Sequence, residues 1–370
     1  MHDSDVSMAP MRQDWDIFCR VIDNFGDIGV CWRLARQLAD EYGFRVRLWV
    51  DDLNCLQPLC PQIDCSREQQ GFHGINIHAW HEEFPETEPG DVVIEAFACE
   101  LPETFTQAMA SRAKPPYWIN LEYLTAESWA TQWHGMVSPH PTLPLRKTFF
   151  FPGFTDQSGG LLRENGLFQQ RDAFLAQPQA KKGLDISLFC YDNAPVSALF
   201  DALIAGPEWV RCHVPPGKPG KAVEKCLGTA EAQRIGNLEI CPFPFLPQAQ
   251  YDELLWRCDI NFVRGEDSFV RAQWAGKPFV WQIYPQDEAA HWPKLEAFIG
   301  AYCTDLPEVT AHAFKEVQHA WNNGHGVSEA WQTFLAQRLA QGEAAKNWSN
   351  KLKKQSDLAS RLVKITSEPV

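Results

Sequence analysis

No stretch of the 370 residues approaches the run of about 18–20 apolar side chains that a membrane-spanning helix needs. The opening segment, MHDSDVSMAPMRQDWD, lacks the apolar centre of a secretion signal, so a cytoplasmic protein is expected. Basic residues are outnumbered, 33 Lys and Arg against 47 Asp and Glu, for a formal net charge of −14. That balance argues against nonspecific binding to nucleic acid or anionic membrane, which draws its affinity from clustered cations. No internal repeat with a period of about 20–50 residues is present, which argues against a solenoid. The Gly-x-Gly-x-x-Gly signature is missing, which counts against a nicotinamide-dependent oxidoreductase or a simple nucleotide-binding module. Cys55, Cys60 and Cys65, followed by His73, His78 and His81, lack the tight pairs of a zinc site, so no metal is expected there. Cys19, Cys31, Cys99, Cys190 and Cys258 fall inside apolar segments and read as small buried hydrophobes.

What is present is an alternation of strands and helices, made twice. DIFCRV (16–21), VRLWVDD (46–52), INIHAW (75–80), DVVIEAF (91–97) and PYWINLEYL (116–124) read as strands. Val30, Leu34, Leu38 and Ala39 share one helical face, and Gly43 marks the helix end. LPETFTQAMASR (101–112) is a second helix. The order implies a mostly parallel sheet covered on both faces. A second series has strands at 184–191, 209–214, 238–245, 259–265 and 278–284, with helices at 194–204, 248–257 and 268–275. Residues 165–183 read as a polar linker. From about 288 onward the chain reads as helical, with Trp292, Leu295, Phe298 and Ile299 on one face and Trp331, Phe334, Leu335 and Leu339 on another. The expected architecture is α/β with two Rossmann-like domains facing across a cleft: residues 1–175, completed by a returning helix at 345–370, and residues 183–344. The 15 Trp and 23 Phe read as core, not as a sugar-stacking surface.

Three loops at the carboxyl ends of strands carry candidate chemistry, because ligands of open α/β sheets bind there. The first is Asp23-Asn24-Phe25-Gly26-Asp27-Ile28-Gly29. Gly26 and Gly29 permit tight turns and close backbone approach. Carboxylates in this loop would repel a phosphate, so it suits a reacting centre. Asp27 as a helix cap and Asp23 as a turn residue are equally open readings. The second is Arg264-Gly265-Glu266-Asp267-Ser268 with Arg271 beyond it. Helix-start amides, Ser268 and an arginine can hold phosphate oxygens, and Glu266 and Asp267 can accept from sugar hydroxyls. The third runs Phe243 to Gln248, where Phe245 can stack on a base and Gln248 can bond its edge; a proline-bounded core turn competes. Tyr191 falls on the same rim by topology.

The segments IFCRVIDNFGDIGVCWRLARQL, DVVIEAFACELPE, WINLEYLTAESW, FPGFTDQSGGLLRE, PFPFLPQAQYDELLW and RGEDSFVRAQWAGKPFVWQIYPQDE together resemble the bacterial protein-arginine rhamnosyltransferases. The resemblance spans most of residues 16–300. It implies a GT-B fold, dTDP-β-L-rhamnose as sugar donor, a metal-independent inverting reaction without cofactor, and an arginine of elongation factor P as acceptor. It further implies Asp27 as general base, Asp23 as its companion and Glu266 as a second catalytic or donor-orienting carboxylate. Asn24, Phe25, Gly26 and Asp27 would face the donor sugar, and Tyr191, Phe245, Gln248, Arg264, Gly265, Glu266, Asp267 and Ser268 would form the nucleotide site. A GT-B enzyme with another nucleotide sugar, or with a carbohydrate or lipid acceptor, is the competing reading within the class.

Overall fold

A computed structural model of the chain describes residues 13–23, 25–178, 183–286 and 289–367. Its first half contains β1 (Asp14–Cys19), α1 (Phe25–Tyr42), β2 (Arg45–Val50), α2 (Leu53–Leu56), β3 (Gln69–Phe72), β4 (Ile75–Ala79), β5 (Val92–Ala96), α3 (Glu103–Ser111), β6 (Tyr117–Leu121), α4 (Ser128–Trp133), β7 (Val137–Pro139) and β8 (Arg146–Phe150). The second contains α5 (Leu167–Leu175), β9 (Leu184–Leu188), α6 (Val196–Ala205), β10 (Val210–Val214), α7 (Lys218–Leu227), β11 (Gln233–Ile235), β12 (Leu238–Pro242), α8 (Gln248–Arg257), β13 (Ile260–Arg264), α9 (Asp267–Ala275) and β14 (Phe279–Gln282). Then follow α10 (His291–Cys303), α11 (Glu308–Asn323), α12 (Val327–Ala336), α13 (Arg338–Lys353) and α14 (Leu358–Ser367).

Two sheets result. The first has the order β3-β4-β2-β1-β5-β6-β8-β7 and the second β11-β12-β10-β9-β13-β14. Pairing is parallel except at β3, β7 and β11, which are antiparallel edge strands. Period-2 alternation puts residues on both faces of the first sheet. Ile17 and Cys19 of β1 join a core with Leu34 and Leu38 of α1. Phe18 points the other way and packs with Trp49, Trp118 and Phe105 of α3. Each fully buried Leu or Phe contributes about 1.5–3 kcal/mol, so two covered faces explain the continuous apolar strands. Gly43, at φ 67°, ends α1 where a Cβ would be strained.

Helix α1 is buried well beyond one stripe, from Asp27 to Leu38 apart from Arg36, because it also meets the second lobe. A Cβ on Gly29 would lie 3.3 Å from the Cβ of Asp267, so glycine lets α1 approach α9. Arg33 completes the contact. Its Nε donates to Asp267 at 2.7 Å, its Nη1 and Nη2 to Asp252 at 3.1 and 3.0 Å, and Nη1 also to Glu164 at 3.3 Å. Arg271 bonds Asp252 and Glu164 as well. Burial opposes the Arg33 charge, but Asp252, Asp267 and Glu164 outweigh it and hold the guanidinium pKa above its ordinary value.

Several local expectations are corrected. The 165–183 segment is not simply a linker: it holds α5, whose Leu167 and Phe168 are buried against the second core. Residues 179–182 of that segment lie outside the described residues. The 22–29 loop is shorter than expected, since Phe25 already begins α1. Helix α7 and strands β3, β7, β8 and β11 are present beyond the expected elements. Leu339, expected on an apolar face, is 83% exposed. The expected 345–370 helix is divided: α13 packs with the second core through Ala344, Trp348 and Leu352, while α14 returns to the first through Leu358, Ala359 and Leu362. Residues 368–370 and 1–12 lie outside the described residues.

Arg33→Met takes the ion-pair partner from Asp267 and leaves Asp252 and Glu164 to Arg271 alone. Breaking a buried pair costs about 3–5 kcal/mol, so thermal denaturation should shift well down while the far-ultraviolet spectrum of the folded protein is retained. An unchanged melting temperature contradicts the network's role.

Candidate active site

The carboxyl ends of β1, β6, β9, β12, β13 and β14 converge on the cleft between the lobes, and two cavities open there. The first, about 620 Å³ including space open to solvent, is walled by Phe25, Phe189, Phe243, Phe245 and Tyr251 with Gln248, Arg264, Asp267 and Ser268. The second, about 920 Å³ on the same measure, is lined by Asp23, Asp27 and Glu266 with Tyr123, Trp281, Tyr284 and Lys294. Asp23 and Gly26 belong to both walls.

Asp27 sits in the first turn of α1, 2% exposed. Its Oδ2 accepts from the backbone N–H groups of Ile22 and Asp23, each at 2.8 Å. Those donors precede the helix, so Asp27 closes the β1–α1 turn; it is not an N-cap. Burial pushes its pKa up, and the two amides and the Tyr123 hydroxyl oppose that shift. Asp23 accepts a 2.6 Å bond from the Tyr191 hydroxyl. Burial raises Asp23 to about 6, against the Tyr191 bond and the Arg264 charge. Glu266 accepts from the Leu124 N–H at 2.9 Å, a contact between lobes. Burial raises it to about 7, with the Leu124 bond and the Lys294 charge opposing. Three acidic groups around one cavity therefore carry elevated pKa values, a pattern associated with functional sites.

On the other side, Arg264 lies with its guanidinium carbon 4.6 Å from the Phe189 ring centroid and 4.5 Å from that of Tyr191. Its Nη1 is buried without a hydrogen-bond partner among the described residues. An unsatisfied buried cationic donor is costly unless a ligand arrives. Phe245 rests on Phe25 across the cleft, centroids 4.9 Å apart. Gly265, at φ 65°, gives its carbonyl to the Trp281 indole N–H at 2.9 Å.

Some expected roles are taken up internally. Asp267 lines the first cavity but is already ion-paired with Arg33, and Arg271 is paired with Asp252 and Glu164. The Ser268 hydroxyl donates to the Arg264 carbonyl and accepts its N–H at 3.3 Å. Gln248 donates through Nε2 to the Gly29 carbonyl at 3.0 Å, leaving its buried Oε1 as the unpartnered atom. Asn24 lies outside the described residues. Tyr123, Phe189, Tyr251, Trp281 and Lys294 line the cavities but were absent from the sequence-based set. Tyr123 and Phe189 follow the strand ends of β6 and β9, so the strand-end rule applied to every strand would have reached them.

Two largely parallel α/β lobes with a bipartite cleft at their strand ends have the GT-B architecture of glycosyltransferases. The spinosyn rhamnosyltransferase SpnG shares this fold with a TM-score of 0.53 at 12% identity, covering 96% of this chain and all of that one. The profile of the family described as Elongation-Factor P (EF-P) rhamnosyltransferase EarP matches residues 15–367, and the chain belongs to that family. Relatives named protein-arginine rhamnosyltransferase occur in Pseudomonas putida, 45% identical over 95% of this chain and 98% of the relative, and in Pseudomonas aeruginosa, 43% identical over 96% and 99%. A solved structure described under EarP-mediated arginine glycosylation of translation elongation factor EF-P superposes with a TM-score of 0.68 at 32% identity, covering 96% of this chain and 98% of that one.

Carboxyl-carbon NMR should find Asp23 and Glu266 titrating near 6 and 7 in the ligand-free protein. Tyr191→Phe removes a bond to the ionised Asp23 and should move its midpoint upward. A midpoint that stays or falls contradicts the assigned hydrogen bond.

Proposed function

We propose that this enzyme transfers L-rhamnose from dTDP-β-L-rhamnose to an arginine guanidinium of elongation factor P, with inversion at the anomeric carbon. The observation that carries the reading is a cavity lined by three carboxylates, Asp27 buried and Asp23 and Glu266 half-buried, sharing a wall with an aromatic cavity where Arg264 Nη1 has no hydrogen-bond partner among the described residues. The acidic cavity suits a cation such as guanidinium, and the aromatic one suits a nucleobase beside a diphosphate.

A guanidinium has a pKa above about 12 and no free lone pair, so it is a poor nucleophile until a proton is removed. Asp23 and Glu266 orient it by charge-assisted bonds, and Asp27 takes the proton as the nitrogen attacks the anomeric carbon. The bond from that carbon to the diphosphate oxygen breaks, and its electron pair leaves with dTDP. Arg264 and the N-terminal amides of α9 stabilise the departing charge, so the reading needs no metal. Phe245 and Gln248 hold thymine; Phe25 and Gly26 border the sugar. In support of the diphosphate assignment, the buried Nη1 of Arg264 has no hydrogen-bond partner among the described residues. Support for Asp27 as the base comes from its fixed seat on two backbone amides. Among the described residues no helix is long and apolar enough to cross a membrane. A translation factor as acceptor places the reaction in the cytoplasm.

Intact mass of elongation factor P after incubation with the enzyme and dTDP-β-L-rhamnose should rise by one deoxyhexosyl unit. An unchanged mass contradicts the reading. Asp27→Asn should lower kcat by about 10²–10⁴-fold, the usual share of general-base catalysis, while dTDP affinity stays near wild type; full activity removes Asp27 from the mechanism.

The pH profile follows from the elevated carboxyl groups. Protonated Asp23 and Glu266 cannot pair with the guanidinium, so kcat/KM should fall as pH drops through about 7 and then about 6. A flat profile between pH 5.5 and 8, roughly the window spanning both groups, contradicts their involvement.

A further inference from the structure

The two cavities meet at one point. Asp23 reaches across the cleft from the first lobe, and its Oδ2 accepts a hydrogen bond from the Tyr191 hydroxyl of the second at 2.6 Å. That oxygen is wedged between two bare glycines: a Cβ on Gly26 or on Gly265 would lie 2.7 Å from it. A sugar nucleotide with its base in the aromatic cavity and its sugar in the acidic one must pass this junction. The Tyr191–Asp23 bond spans that path in the ligand-free cleft.

Tyrosine offers one O–H, and it can serve one acceptor at a time. Behind the Tyr191 ring stands Arg264, 4.5 Å from its centroid and with Nη1 unpartnered. Lys218 adds a second cation, its Nζ 5.5 Å from the same ring. A diphosphate drawn to Arg264 brings strong acceptor oxygens beside the Tyr191 hydroxyl. Its negative charge also repels the Asp23 carboxylate. Both effects favour the same exchange of partner.

We propose that Tyr191 is a positioning residue for Asp23: it turns its hydroxyl hydrogen bond from Asp23 in the empty cleft to a diphosphate oxygen in the loaded one, releasing Asp23 to receive the acceptor guanidinium only after the sugar donor is seated. This rests on the functional reading above and adds an order of binding to it. No covalent bond changes; one hydrogen bond is traded for another. Asp27 does not share this freedom, because backbone amides hold it. Asp23 is thus the mobile carboxylate and Asp27 the fixed one.

Calorimetric titration of purified elongation factor P into the enzyme, with and without saturating dTDP, tests the exchange. For the wild type, dTDP should strengthen acceptor binding by about 5-fold or more, within the usual range of coupling between sites. In Tyr191→Phe, acceptor affinity without dTDP should rise toward the dTDP-bound wild-type value, and the coupling should shrink to within about 2-fold. Donor-free affinity at or below wild type, or equal coupling in both proteins, overturns the proposal. Titration of dTDP alone separates the two levels: failure of the wild type to bind dTDP overturns the functional reading and the exchange with it, whereas dTDP binding with unaltered coupling overturns the exchange alone. A wild-type measurement covers a variant that misfolds. On adding dTDP the carboxyl-carbon midpoint of Asp23 should move upward, since it loses a donor and gains an anionic neighbour; an unmoved midpoint overturns the proposal.

Discussion

Arg33 is a cation with 3% of its side chain exposed, held at the seam of two lobes. A charge so placed is tolerated only with partners, and its ion-pair partners among the described residues, Asp252, Asp267 and Glu164, lie outside the first sheet and its helices. Helix α1 is thereby fixed against α8 and α9. The rest of the cleft follows from that fixture. Gly29 allows the close approach, Gln248 bonds the Gly29 carbonyl, and Glu266 caps the Leu124 N–H. These contacts set the Asp23–Asp27 turn opposite the start of α9. If the lobes part, the same charged groups regain water, which offsets much of the lost attraction. A polar seam of this kind holds a defined arrangement without the strong bias toward closure of an apolar interface.

The cleft also divides its electrostatic work. Acidic groups cluster on the side toward Tyr123 and Lys294, and Arg264, its Nη1 without a hydrogen-bond partner among the described residues, lies on the side toward Phe189 and Phe245. A cationic nucleophile and an anionic leaving group need opposite surroundings, yet they must meet at one carbon. Here the two environments touch at Asp23 and Gly26, so the distance between them is short. Burial raises the acidic groups toward neutrality, which keeps the cost of packing them together modest. A guanidinium entering that cavity restores their ionised form by direct pairing.

Much of this was legible before any coordinates. Apolar periodicity marked both alternating series, and strand-end position singled out the loops around Asp23, Phe245 and Arg264. The resemblance carried by DNFGDIG and RGEDSFVRAQ pointed to the family that the profile and the relatives establish. Less legible were the short edge strands β3, β7 and β11, whose few residues are too short to show a period. The roles within a loop were also obscured. Asp267 and Ser268 look as available as Arg264 in the sequence, but one is paired with Arg33 and the other bonded to the Arg264 peptide.

The sequence by itself determined the elements: two parallel sheets, the helix that opens after Asp23, and the glycines that end helices or permit close approach. Those are set by side-chain period and turn chemistry within a short window of chain, where neighbours are known in advance. Only the tertiary structure decided the partners. Arg33 meets Asp252 and Asp267 at separations of 219 and 234 residues, Tyr191 meets Asp23 at 168, and Asp357, just before α14, accepts from Gln37 at 320. Contacts at such separations depend on how one lobe is rotated against the other. That rotation is chosen by the summed burial and pairing of the whole seam, so no local pattern carries it.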